Sequence, residues 1–299
     1  MALPAIQVMY KAGVLCGVAT GDNNNEVISV IGAQAGGIGI PYATIPGKDY
    51  KVHLEVWLAA LKPDVVFVMT YGKRIPPSIL KIPALGFINF HYGLLPEMRG
   101  ADPIFESIRH QHKNAGITVH KMDEGFDTGD ILMREEFQLP VEFTYGMLCG
   151  QMAQSGAKMC QTLIEKIIEG VIPEGYKQDE SKAVYRPKIK KEQIAIRWAE
   201  MTSDEIIALV RSCNPIAMGV PATLNGWVFG VCDVTGIRFE GDSSAILPGT
   251  IVALDMQNGL VVNCKDGIGV RMDVINTAEG FFAGHKVSMW GITAGMIFS

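Results

Sequence analysis

Apolar positions in the first half of the chain form short runs broken by Gly, Pro, Asn and Asp, and the runs alternate between a helical and a strand period. Ala5, Ile6, Met9 and Tyr10 share a helical face, so a helix is predicted over 2–12, ended by Gly13. A buried strand is predicted over 14–20, then a polar loop at Gly21, Asp22, Asn23, Asn24 and Asn25. Helix 25–37, a short strand within 38–45 and helix 51–61 follow. The run 64–70 (DVVFVMT) is apolar on both faces, which predicts a parallel strand covered by helices on either side. Helix 76–81 and strand 85–90 complete this pattern.

Further on, a helix is expected over 102–110. Strand 115–121 sets Ile117 and Val119 against Thr118 and His120, and with strand 130–138 it reads as an antiparallel or edge pair. His120, beside Lys121, is expected to face solvent. A long helix over 143–170 has Thr144 as its N-cap and Gly170 at its end. Residues 171–197 lose all periodicity and are basic, with Lys177, Lys182, Arg186, Lys188, Lys190, Lys191 and Arg197. Helix 203–211, capped by Ser203, leads into short apolar runs at 227–234, 236–239, 250–255, 259–264, 267–274 and 286–290. Asn258-Gly259 and Asp266-Gly267 mark turns between them. The expected organisation is an α/β catalytic domain over 1–170, a linker over 171–202, and a small β-barrel-like or sandwich domain over 203–299.

Composition narrows the class. With 299 residues, 48% apolar and 19% charged, the chain can bury a sizeable core. A net charge of -5 argues against a polyanion as the main partner. Cys16, Cys149, Cys160, Cys213, Cys232 and Cys264 show no C-x-x-C spacing and read as reduced thiols of a cytoplasmic protein. Nothing resembles a signal peptide, and no apolar window approaches the ~18 residues of a membrane span.

The densest polar information lies in 87–130. Asn89 and His91 stand two apart at the end of an apolar strand, so their side chains share a face. Strand ends are where open α/β sheets place ligands. Asp127 lies between Gly125 and Gly129, a pattern for a tight loop or close backbone approach. Acyl transfer to an amine passes through an oxyanion, which an Asn amide and a protonated imidazole can stabilise, while a carboxylate orients the ring. No convergent set of metal ligands can be assembled.

The ordered pattern Asn89-Phe90-His91-Tyr92-Gly93-Leu94-Leu95-Pro96, with Gly100, Pro103 and Asp127-Thr128-Gly129, closely resembles the formyltransferase family that uses 10-formyltetrahydrofolate. Lys62-Pro63-Asp64, Tyr71-Gly72-Lys73, Gln178-Asp179-Glu180, Tyr185 and Pro187-Lys188 extend the likeness. Trp198, Arg211 and Asn214-Pro215 resemble the start of the C-terminal domain in the methionyl-tRNA branch, a domain of open β-barrel form. The resemblance implies catalytic roles for Asn89, His91 and Asp127. It also implies a folate site in backbone around 70–88 and 122–128, with Tyr71, Gly72, Ile88, Leu94, Pro96, Gly125 and Phe126 at the co-substrate and no metal.

The chain differs from the family in three ways. It begins inside the helix that normally follows a first strand, so a Rossmann-like, mostly parallel sheet lacking that strand is expected. Gly93 replaces a common Ser, which removes one hydrogen bond. The stretch GDNNNEVISVIGAQAGG carries no Lys or Arg, and residues 205–299 hold five Lys and Arg against eight Asp and Glu. That charge balance favours a small amine acceptor, such as an amino sugar or amino acid, over initiator tRNA. Hydrolysis of 10-formyltetrahydrofolate and non-catalytic folate or protein binding are the other classes.

Overall fold

The computed structural model describes residues 1–22, 26–238 and 245–299. The polar residues Asn23, Asn24 and Asn25, and the end of the run 236–239, fall outside them. Elements run α1 (Ala2–Lys11), β1 (Val18–Gly21), α2 (Glu26–Gly37), β2 (Tyr42–Ile45), α3 (Tyr50–Leu61), β3 (Val66–Met69), α4 (Pro77–Leu80) and β4 (Phe87–His91). They continue β5 (Arg99–Gly100), α5 (Pro103–Arg109), β6 (Asn114–Lys121), β7 (Ile131–Gln138), α6 (Tyr145–Ile168), β8 (Tyr185–Arg186) and α7 (Ser203–Cys213). Strands β9 (Val220–Leu224), β10 (Trp227–Ile237), β11 (Ile251–Asp255), β12 (Gly259–Asn263), β13 (Gly269–Thr277) and β14 (Gly280–Ala283) close the chain. Two compact units result: Met1–Pro103, Ala115–Phe137 and Cys149–Pro187 form one, and Ile104–Asn114, Gln138–Leu148 and Lys188–Ser299 the other.

In the first unit the α/β pattern is present, but the sheets are mixed rather than mostly parallel. β1 and β2 pair in parallel, as do β3 and β4, whereas β6 runs antiparallel to β4. β4 and β6 are joined through the 92–113 segment, which carries β5 and α5. Strand order is β3-β4-β6-β7, and β1-β2 forms a separate two-stranded sheet. Ile45, Leu54, Leu58, Val68, Ile79 and Phe87 fill a core beneath the parallel strands. Residues 176–186 do not hang free: Tyr176 bridges Ile131, and β8 pairs in parallel with β5.

In the second unit, α7 is capped one residue before the expected Ser203. Thr202 and Glu205 form a reciprocal capping box, and Ser203 instead donates through its N–H and Oγ to Asp266. The following strands form one six-stranded antiparallel sheet of order β11-β12-β13-β10-β9, with β14 on β13. The apolar run expected as a strand at 286–290 is part of a 3-10 helix, Gly284–Trp290. The core gathers Ile206, Leu209, Val231, Val262, Val270 and Ile275. Among the described residues no helix is long and apolar enough to cross a membrane.

Candidate active site

β4 carries two polar residues out of an apolar strand. Phe87, Ile88 and Phe90 are buried in the core, while Asn89 and His91 share one face at its carboxyl end. In the antiparallel register Asn89 lies opposite His120 of β6. Cross-strand partners on one face are side-chain neighbours, and the Asn89 amide nitrogen lies 3.1 Å from His120 Nε2. His120 Nδ1 donates to the Lys121 carbonyl at 2.9 Å, so in the neutral ring Nε2 is left to accept from Asn89. His120 is 2% exposed, not solvent-facing, because β6 is covered on both faces.

Asp127 reaches this pair from the loop after β6. Asp123 Oδ1 ties the loop by accepting from the Gly125 N–H at 2.9 Å and the Thr128 hydroxyl at 2.6 Å. Asp127 itself adopts φ +57, a left-handed conformation uncommon outside Gly. Its Oδ1 lies 3.5 Å from His91 Nδ1, 3.5 Å from the Asn89 amide nitrogen and 3.7 Å from His120 Nε2. Its Oδ2 accepts the Gly100 N–H at 3.0 Å. Burial pushes the Asp127 pKa up, but the His120 contact, the His91 charge and the Gly100 N–H prevail and hold it below the ordinary carboxylate value.

His91 is 6% exposed, and its Nε2 lies 2.7 Å from the Met98 carbonyl. A carbonyl only accepts, so Nε2 carries a proton and the neutral ring presents its Nδ1 lone pair towards Asp127. Burial lowers the His91 pKa from its ordinary 6.5, outweighing the upward pull of Asp127 and Met98. Burial thus works against the imidazolium form expected from the sequence, while Asp127 works for it. The loop between is pinned by Thr118, whose hydroxyl donates to the Gly93 carbonyl at 2.8 Å and accepts the Leu95 N–H at 3.0 Å. A Cβ on Gly93 would lie 2.6 Å from Pro103 Cβ, so Gly93 is a steric requirement here as well as a lost hydrogen bond.

The expected co-substrate residues are spread over three loops and β4. Tyr71 and Gly72 follow β3, beyond its residues level with Asn89 and Phe90. Among the described residues the Tyr71 hydroxyl is buried without a partner. Ile88 is a core residue on the opposite strand face from Asn89. Leu94 packs towards Gly116, and Pro96 follows a cis peptide from Leu95. Gly125 and the 49%-exposed Phe126 form the outer lip of the Asp127 loop. Sequence reasoning missed His120 and the Met98 carbonyl. The period-2 pairing of Thr118 with His120 was the available signal for the first, and none exists for a backbone carbonyl. Among the described residues no group of three or more His, Cys, Asp or Glu is placed to hold a metal.

Residues 7–164 match the formyl transferase family, and residues 188–283 match the formyl transferase C-terminal domain. The methionyl-tRNA formyltransferase of Syntrophus aciditrophicus (strain SB) is 33% identical over 301 residues, 96% of this chain and 94% of that protein. That of Carboxydothermus hydrogenoformans is 36% identical over 214 residues, 71% of this chain and 67% of the relative. Among solved structures, the sugar 3N-formyl transferase WlaRD superimposes with a TM-score of 0.66 at 18% identity, covering 90% of this chain and 92% of its own. HypX from Aquifex aeolicus gives 0.65 at 15% identity over 90% of this chain, which spans 46% of HypX. At such identities these structures speak for the fold alone. The chain belongs to the formyl transferase family, the 10-formyltetrahydrofolate-dependent enzymes that move a one-carbon formyl group onto an amine.

Proposed function

We propose that the chain transfers the formyl group of 10-formyltetrahydrofolate to the α-amine of methionyl-tRNA. The observation that carries this reading is the end-to-end match to a protein named for that reaction, across both units. It replaces the small-amine preference drawn from charge. Net charge is an average, whereas phosphate contacts are local. Lys177, Lys182, Lys188, Lys190 and Lys191 are all exposed along one 15-residue stretch. The six-stranded sheet of the second unit is read as the open barrel of that branch.

The first unit offers fitting partners for the folate. The Tyr71 hydroxyl, buried with no partner among the described residues, and the exposed lip of Gly125 and Phe126 flank the end of β4. 10-Formyltetrahydrofolate supplies the electrophilic formyl carbon. The neutral His91 Nδ1 takes the proton that the attacking amine sheds. The imidazolium so formed is held by the Met98 carbonyl and the Asp127 carboxylate, whose charge increases the basicity of Nδ1. The Asn89 amide gives up its long, 3.5 Å contact to Asp127 and donates to the formyl oxygen as negative charge develops there. The intermediate then collapses as the bond from the formyl carbon to N10 breaks, and N10 takes up the proton carried by the imidazolium and leaves as tetrahydrofolate.

This assignment of protons sets the pH profile. Burial pushes the pKa of His91 below its ordinary value, and the base must be neutral, so kcat/KM, once divided by the fraction of acceptor whose α-amine is unprotonated, stays level on the alkaline side and falls only as the medium acidifies through that lowered pKa. A stopped assay across pH 5–8.5 measures it. Activity that instead disappears above pH 6.5 would mean that the imidazolium is the required form.

Replacing Lys188, Lys190 and Lys191 together with Ala should raise KM for methionyl-tRNA while leaving kcat unchanged. The slope of log KM against log salt should shrink by roughly 2 to 3, one for each lost phosphate contact. Rates for methionyl-tRNA, nucleotide-linked amino sugars and free amino acids, compared in one buffer, test the acceptor. Faster formylation of an amino sugar would overturn the tRNA reading.

A further inference from the structure

We propose that Gln178 and Arg99 are positioning residues for the reaction: the segment 178–186 straps Asp127 into place from both its backbone and its carboxylate side. The inference rests on the reading of Asn89, His91 and Asp127 as the reacting set.

Asp127 sits at φ +57, a left-handed conformation that costs an L-residue energy and that the surroundings here hold in place. The imposing group is one side-chain amide. Gln178 Nε2 donates to the Asp127 carbonyl and the Gly129 carbonyl, both at 2.8 Å, and so grips the Asp-Thr-Gly turn at each end. The amide cannot turn over, because its Oε1 accepts from Arg99 Nε at 3.1 Å and Arg99 Nη2 at 2.8 Å. Arg99 is in turn held by Glu180 through Nη1 at 2.9 Å and Nη2 at 2.6 Å. Gln178 and Arg99 are 8% and 7% exposed, so water does not substitute for these bonds.

The same strap reaches the carboxylate. Arg99 and Gly100 form β5, which pairs with Tyr185 and Arg186 of β8. The Gly100 N–H is the group that donates to Asp127 Oδ2 at 3.0 Å. Gly100 lies at φ +121, and a Cβ there would stand 1.9 Å from the Arg186 carbonyl oxygen, so only Gly permits the pairing that aims this N–H. Backbone and side chain of Asp127 are thus both fixed by residues that lie outside the reacting set.

Gln178→Glu separates the two halves of the clamp. A carboxylate still accepts from Arg99 but cannot donate to the Asp127 and Gly129 carbonyls. The expected result is a kcat lower by on the order of 10²-fold with KM for both substrates little changed, the cost of a misplaced reacting group. In an Asp127→Ala background the same change should cause no further loss, because the clamp acts only through Asp127. Circular dichroism of each variant reports folding. Arg99→Lys, which keeps the charge but loses the fork that orients Gln178, should show a smaller loss confined to kcat. The inference is overturned if both variants keep wild-type kcat, or if Gln178→Glu costs as much without Asp127 as with it. A wild-type chain with no formyl transfer at all would instead sink the functional reading.

Discussion

Replacing His91 with Ala lowers kcat for formyl transfer by roughly 10²–10⁴-fold, the range expected when a positioned general base is removed. The argument begins from the strand. His91 ends β4, is buried, and has its Nε2–H committed to the Met98 carbonyl. Only Nδ1 remains for chemistry, and it faces Asp127 at 3.5 Å. An amine that attacks a formyl carbon must lose a proton, and no other neutral imidazole nitrogen described in this cluster is unengaged. His120 Nε2 already receives the Asn89 amide. The loss should therefore fall on kcat, with KM for either substrate moving little. A far-ultraviolet spectrum and thermal unfolding check that the fold survives. Near-normal turnover in a folded His91→Ala variant would remove His91 from the mechanism.

Asn89→Ala should cost about 10²–10³-fold in kcat, or ~3–4 kcal/mol of transition-state stabilisation, as removal of one oxyanion donor does. Two effects combine. The donor to the formyl oxygen is lost, and His120 Nε2 and Asp127 Oδ1 each lose a partner. Asn89→Asp distinguishes them: it restores a polar group of the same size but supplies an acceptor where a donor is required, and a second negative charge beside Asp127. It should be no better than Ala. Single-turnover rates with saturating folate provide the measurement, and an Asp variant with near wild-type rate would contradict the donor role.

Much of this site could be read before the fold was known. The alternation of FINFH placed Asn89 and His91 on one face, and the glycines around Asp127 announced a tight turn. Helix boundaries in the first unit also followed directly from apolar spacing and from Gly13 and Gly170. What was not legible depended on which faces are covered. β6 alternates like a half-exposed strand, yet it lies between β4 and β7 and buries Thr118 and His120 along with Ile117 and Val119. Gln178 lies in a stretch with no periodicity, where nothing local distinguishes a solvated linker from a segment laid onto a buried arginine. β9 was missed because it contains Pro221, which is tolerated since β9 is an edge strand of its sheet. Within 286–290 only Val287 and Trp290 pack on the core beneath the sheet, and the chain turns as a 3-10 helix instead of joining it. The preference for a small acceptor came from summed charge, which records neither where the lysines lie nor how far the family likeness extends.

The most direct test is a single turnover with 10-formyltetrahydrofolate and excess methionyl-tRNA, read by mass for every formylated product and for free formate. The site described here predicts one N-formylmethionyl-tRNA for each tetrahydrofolate released, with the yield collapsing in His91→Ala. Formate without formylated tRNA, or a formylated amino sugar formed in preference when both acceptors are present, would contradict it.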